Sequence, residues 1–136
     1  MMAAIALFFL LLTGFHQESP GPKTVPLDTE FTLKSGEEAI VDGTVIRIRF
    51  ASVVSDSRCP ENVTCVWAGN AEVNLELRKK KKPVNPVIVN TTLAPRQAEF
   101  KGLVVKLVGL KPQPAGGTPI DQGRYEATLI VSRAKD

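Results

Sequence analysis

Four stretches of the chain alternate apolar and polar residues with a period of two, and that pattern restricts the fold more than any other feature. In TVIRIRF, Ile46, Ile48 and Phe50 fall on one face and Arg47 and Arg49 on the other. In AEVNLEL, Ala71, Val73, Leu75 and Leu77 alternate with Glu72, Asn74 and Glu76. GLVVKLV aligns Leu103, Val105 and Leu107, and YEATLIV aligns Tyr125, Ala127, Leu129 and Val131. Successive side chains of a strand point to opposite faces, so each run reads as a half-buried strand. Weaker runs lie at Phe31–Lys34, Glu38–Val41 and Val87–Asn90, and no stretch shows a helical period. Seven short strands joined by Gly- and Pro-bearing connections predict an all-β fold over residues 27–133, a single small antiparallel β-sandwich or barrel with one disulfide. Asp42-Gly43 falls between two runs and predicts a type I′ hairpin turn.

The polar faces carry information too. Arg47 and Arg49 point outward from one strand, and Glu72 and Glu76 from the strand that follows it after one loop. Pairing of the two would make these cross-strand ion pairs, worth about a few tenths of a kcal/mol each at an exposed site. The large rings of the domain are few (Phe31, Phe50, Trp67, Phe100 and Tyr125), and a core so thin gains from a covalent staple.

Residues 3–12, AAIALFFLLL, are continuously apolar. A membrane-spanning helix needs about 20 such residues, so the run reads as the apolar region of a signal peptide over residues 1–14, with cleavage expected between 14 and 19. Residues 15–26 hold Pro20, Gly21, Pro22 and Pro26 and read as an extended tether that needs no packing. The expected destination is periplasmic or extracellular, with no transmembrane helix in the mature chain. The only cysteines are Cys59 and Cys65, which leaves no cysteine after the apolar run to carry a lipid. Two cysteines this close together in an oxidising compartment predict a bond between them. Reduced thiols are the alternative; a zinc site would need two carboxylates to complete it.

Between the two strongest strands lies SDSRCPENVTCVWAGNA, residues 55–71, where alternation stops. Asp56 and Ser57 suit a tight turn, bonding nearby backbone N–H groups. A Cys59–Cys65 bond would close a small ring worth about 2 kcal/mol in the chain-entropy picture. Trp67, the only Trp, is expected to lie buried against that ring as the anchor of the loop, with Gly69-Asn70 turning the chain into the next strand. On this reading the exposed residues of the loop, Asp56, Arg58, Glu61 and Asn62, are the first candidates for partner contact.

The sequence DSRCP, then Cys65, then VWAGNA running into an alternating strand, resembles a group of small exported bacterial proteins of unassigned function, lipoproteins among them. The resemblance spans residues 30–132 and includes Leu110-Lys-Pro-Gln-Pro114 and the closing strand Tyr125–Val131. It implies bacterial origin and export, and supplies no activity. A membrane-anchored location is not carried over, because the lipid-attachment cysteine is missing. In a bacterium the motifs Asn62-Val-Thr and Asn90-Thr-Thr, which match the N-glycosylation pattern, are expected to be coincidental.

Composition excludes several chemistries. A net charge of +3 is well short of a dedicated nucleic-acid binder, and the single His16 leaves Ser57 without a histidine base near it. No lysine near Ser57 suggests a Ser–Lys dyad. Asp56, Glu61 and Asn62 lack the regular spacing of a calcium loop. No cofactor is expected. The run Arg78, Lys79, Lys80, Lys81, Lys82 reads either as lysines that guard a sheet edge against aggregation or as a patch facing a phosphate-bearing or polysaccharide partner. The expected protein is a monomeric, exported β-domain acting as a binding or envelope-associated module toward a protein or polysaccharide, and not an enzyme. The alternative is a small secreted hydrolase or metal-dependent enzyme. It calls for a pocket with at least two titratable groups near Asp56 or Asp121.

Overall fold

A computed structural model of the chain describes residues 21–135. The expected signal peptide, its cleavage site and the first part of the tether lie outside these residues. Nine strands form two sheets. The first holds β1 (Lys23–Val25), β3 (Glu38–Val41), β4 (Ile46–Asp56), β5 (Ala71–Lys79) and β6 (Asn85–Asn90), in that order. The second holds β2 (Phe31–Lys34), β9 (Glu126–Arg133), β8 (Leu103–Lys111) and β7 (Gln97–Phe100). Neither closes on itself, so the fold is a sandwich and not a barrel. No α-helix occurs among the described residues; one short 3₁₀ turn, Gln122–Arg124, precedes β9.

The alternating apolar residues all turn inward. Ile48, Phe50, Val73, Leu75 and Leu77 of one sheet meet Leu33, Val105, Leu107, Leu129 and Val131 of the other, all with essentially no solvent exposure. Each such side chain contributes about 1.5–3 kcal/mol through removal from water, so this interface is the main source of stability.

Two strands escaped the sequence pattern. β1 lies inside the expected tether, pairs with β3 in parallel and buries Val25. The tether is therefore packed from Lys23 onward, and the sheets are not purely antiparallel. β7 is a four-residue edge strand on β8. β4 is longer than its alternating part because a register shift between Phe50 and Ser52 moves the buried set to Val53. Beyond the end of β3, the exposed edge of β4 is met by the Gln122 side chain, which accepts from Val53 N–H at 3.0 Å and donates to Val53 C=O at 2.9 Å. The Asp42-Gly43 turn is not type I′. Thr44 N–H bonds Val41 C=O, and only Gly43 has positive φ, 72°.

The expected ion pairs form in part. Arg49 faces Glu76 in register and bonds it at 3.2 Å. Arg47 faces Arg78 instead, and both guanidiniums bond Glu38, at 2.9 and 3.0 Å. Burial opposes ionisation of Glu38, and the hydrogen bonds from Arg47 and Arg78 outweigh it, so its pKa lies below the ordinary value.

The strand directions gather three loops at one end of the sandwich: 57–70, 91–96 and 112–121. The turns 42–45, 80–84 and 101–102 lie at the other.

Candidate functional site

The 57–70 loop begins as a continuation of the β4–β5 ladder. Ser57 N–H bonds Asn70 C=O at 2.8 Å, and Cys59 N–H bonds Ala68 C=O at 3.0 Å. The chain passes so close to itself here that only glycine fits at position 69. Its φ is +71°, and a Cβ there would stand 2.0 Å from the Ser57 carbonyl oxygen. Gly69 is therefore a site of close backbone approach and not the turn expected for Gly69-Asn70. Beyond this neck Cys59 and Cys65 are bonded, with Cα atoms 5.9 Å apart, which closes residues 59–65 into a ring.

One ion pair fastens the neck to the rest of the domain. Arg58 Nε donates to Asp56 Oδ1 at 2.9 Å and Nη2 to Oδ2 at 2.7 Å, a two-point contact that suits the planar guanidinium. The same guanidinium donates to Leu110 C=O at 2.7 Å and to Pro112 C=O at 2.8 Å, crossing to the other sheet. Tyr125 Oη donates to Asp56 Oδ2 at 2.9 Å. Burial works against the Asp56 charge, but the bonds from Arg58 and Tyr125 overcome it and hold its pKa below the ordinary value. Burial, with Asp56 beside it, pushes the Tyr125 phenol up to about 12.

A second buried polar cluster fixes the exit of the loop. Asn70 Oδ1 accepts from Thr92 N–H and Leu93 N–H, both at 3.1 Å, and its Nδ2 donates to Asn90 Oδ1 at 2.9 Å. Asn90 Nδ2 in turn donates to Pro95 C=O at 3.0 Å. These two asparagines lock the 91–96 turn to the root of the loop. The 112–121 segment is tied on by Glu61 N–H to Pro114 C=O and by Gly116 N–H to Asn62 Oδ1.

The expected site residues divide sharply. Arg58 is only 8% exposed and Asp56 is half-buried, so neither offers a free charge to a partner; their neighbours in the fold consume their hydrogen-bonding capacity. Glu61 and Asn62 are exposed, as expected. Trp67 is not buried against the disulfide: it is 56% exposed, because Arg58, Asn70 and the covalent ring already hold the loop without it. Val63 (52%) and Val66 (fully exposed) accompany it, and Leu93 is exposed on the adjoining turn. The run at 78–82 is also divided. Arg78 is bound to Glu38 on the outer sheet face, whereas Lys79–Lys82 form the exposed tip of the β5–β6 hairpin. That tip lies off the nearer edge of the sheet, β6, a strand without lysine that carries Pro86.

Sequence reasoning missed Asn70 and Asn90. The signal available for Asn90 was its position directly at the end of the apolar run Val87–Val89, where a polar residue drawn into the core needs partners. Its amide is buried and bonded, so Asn90-Thr-Thr does not present an acceptor for sugar in the folded domain.

A concavity of about 190 Å³ lies beside the ion pair, lined by Asp56, Pro114, Thr118, Pro119, Ile120 and Tyr125. It contains two titratable groups, but one is held as a paired anion and the other as a neutral phenol across the physiological range. Its volume is also below the roughly 300 Å³ at which small-molecule sites begin. Among the described residues no group of three or more His, Cys, Asp or Glu side chains is placed to hold a metal ion. No helix of the described residues is long and apolar enough to cross a membrane. Comparison with protein-family models, curated proteins and solved structures finds no match to this chain.

Proposed function

We propose that the protein is an exported binding module that uses the 57–70 loop as a preformed contact surface for a protein of the cell envelope or its surroundings. The observation that carries this reading is the combination of exposed apolar side chains with an immobilised backbone. Val63, Val66 and Trp67 stand in solvent on a loop held by a disulfide, a buried ion pair and two buried asparagines. Half-exposure of an indole forgoes about 1 kcal/mol or more of burial, and the loop is built so that Trp67 does not recover it by folding inward. A rigid aromatic presented this way binds with little ordering entropy to lose, and Trp is among the residues that most often dominate interface energetics. The disulfide suits an oxidising compartment, in keeping with the apolar segment at residues 3–12. The paired state of Asp56 and the neutral state of Tyr125 favour binding over hydrolysis.

The test is recovery of partners from an envelope extract by immobilised protein, compared with the V66S/W67S double variant. The expected result is a discrete partner retained by the wild type and lost by the variant, with a blue shift of Trp67 emission when the purified partner is added. Equal retention by both proteins would overturn the reading.

A further inference from the structure

We infer that the protein carries a second binding surface, at the end opposite the disulfide loop, that takes an acidic polysaccharide. The β5–β6 and β7–β8 turns come from different sheets and face each other across a cleft of about 470 Å³ that includes Lys79, Lys82 and Lys101. Glu99 also lines an adjoining concavity of about 400 Å³ on the outer face of the second sheet, which includes Lys106, Arg133 and Lys135. Among the described residues six cations thus line two adjoining concavities, and Glu99, which they share, is the one carboxylate there. Among the described residues none of the six is in an ion pair, whereas Arg47, Arg49, Arg58 and Arg78 all are. In a chain of net charge +3 this concentrates positive potential in one region.

Backbone geometry supports a role for the lysines. Among the described residues only three non-glycine residues have positive φ, and two of them are Lys80 and Lys101, one at the tip of each turn. Lys101 and Gly102 both have positive φ, the pattern of a type I′ turn, where Asn-Gly or Asp-Gly is the favoured pair. Lysine in the first position sacrifices turn stability for a cation at the mouth of the cleft.

The shape selects the partner. A polymer chain can lie along a cleft between two hairpins, and Asn85 and Glu99 are placed there to bond hydroxyl groups. A bilayer would need large apolar side chains projecting from the tip to insert, but Phe100 packs against the core and the exposed Val84 lies on the outer sheet face with Arg47 and Arg78. Single-stranded nucleic acid would need an open ring for stacking, but Lys101 Nζ covers Phe100 at 6.0 Å from its centroid.

Calorimetric titration of the full chain with dextran sulfate at low salt tests the proposal, with uncharged dextran, poly(dT) and phosphatidylcholine–phosphatidylglycerol vesicles in parallel. The expected result is salt-sensitive binding of dextran sulfate and weaker or absent binding of the other three. The variant K82S/K101S/K135S should bind about tenfold more weakly, since the screened attraction depends on charges acting together. The variant K34S/R96S/K111S removes the same charge at the other end and should bind like the wild type, as should W67S, which separates this surface from the loop. Three results would overturn the proposal: no binding of dextran sulfate, equal losses in the two triple variants, or tighter binding of poly(dT) or vesicles than of dextran sulfate.

Discussion

Arg58 shows how a polar residue in an irregular loop can belong to the core. Its guanidinium balances the charge of the Asp56 carboxylate and donates to two backbone carbonyls. Arg58→Ala leaves the Asp56 charge without a counter-ion and takes a donor from each of the two carbonyls, and should lower unfolding stability by about 3–5 kcal/mol, measured by denaturant titration. Gly69→Ala should cost more than about 2 kcal/mol in the same assay, because the added Cβ meets backbone and not a side chain that could move aside. The Asp56–Tyr125 contact sets stability at both pH extremes. Asp56 has a folded pKa below its ordinary 3.8, so its contribution is complete above that value and is lost as pH falls below it. Tyr125 has the opposite sign: its folded pKa of about 12 exceeds the ordinary 10.0, so its contribution is complete below pH 10 and is lost as pH rises toward 12. The midpoint of urea unfolding should fall in both windows, and Tyr125→Phe should blunt the alkaline fall. None of this was legible in the sequence. DSR reads equally well as a surface turn, and only the fold brings Leu110, Pro112 and Tyr125 to Arg58 and Asp56.

At the scale of elements, legibility followed the length of the alternating run. β4, β5, β8 and β9 each show several periods, and the residues picked as inward-facing are the buried ones. β1 and β7 have three and four residues, too few to display a period, and Pro22 and Pro26 around β1 point toward a tether. The β4 register shift hides that strand's second half, since alternation resumes out of phase after Ser52. Trp67 illustrates a different limit. Burial of the largest apolar side chain is a sound default, and it fails where a loop is already secured by a disulfide and a buried ion pair. The turn at Lys101 yields its own prediction. Lys101→Asn suits the φ of 48° better and should raise stability by about 0.5–1 kcal/mol in denaturant titration while weakening dextran sulfate binding. A gain in stability with a loss in binding is the signature of a residue kept for its charge.

Over the whole molecule the sandwich separates two kinds of surface. One end presents apolar side chains on a braced loop, and the other presents unpaired cations in a cleft between the sheets. The core between them, filled by Phe50 and aliphatic residues, gives both ends a fixed relation. The loop is held to be exposed and rigid at once, and Trp67, as the only Trp, reports on it without labelling. Time-resolved fluorescence anisotropy of the oxidised protein is the most direct measurement. A decay dominated by the tumbling of the whole domain is expected, because a braced loop moves with the sandwich. A decay dominated by sub-nanosecond local motion of Trp67 would show that the loop is not braced.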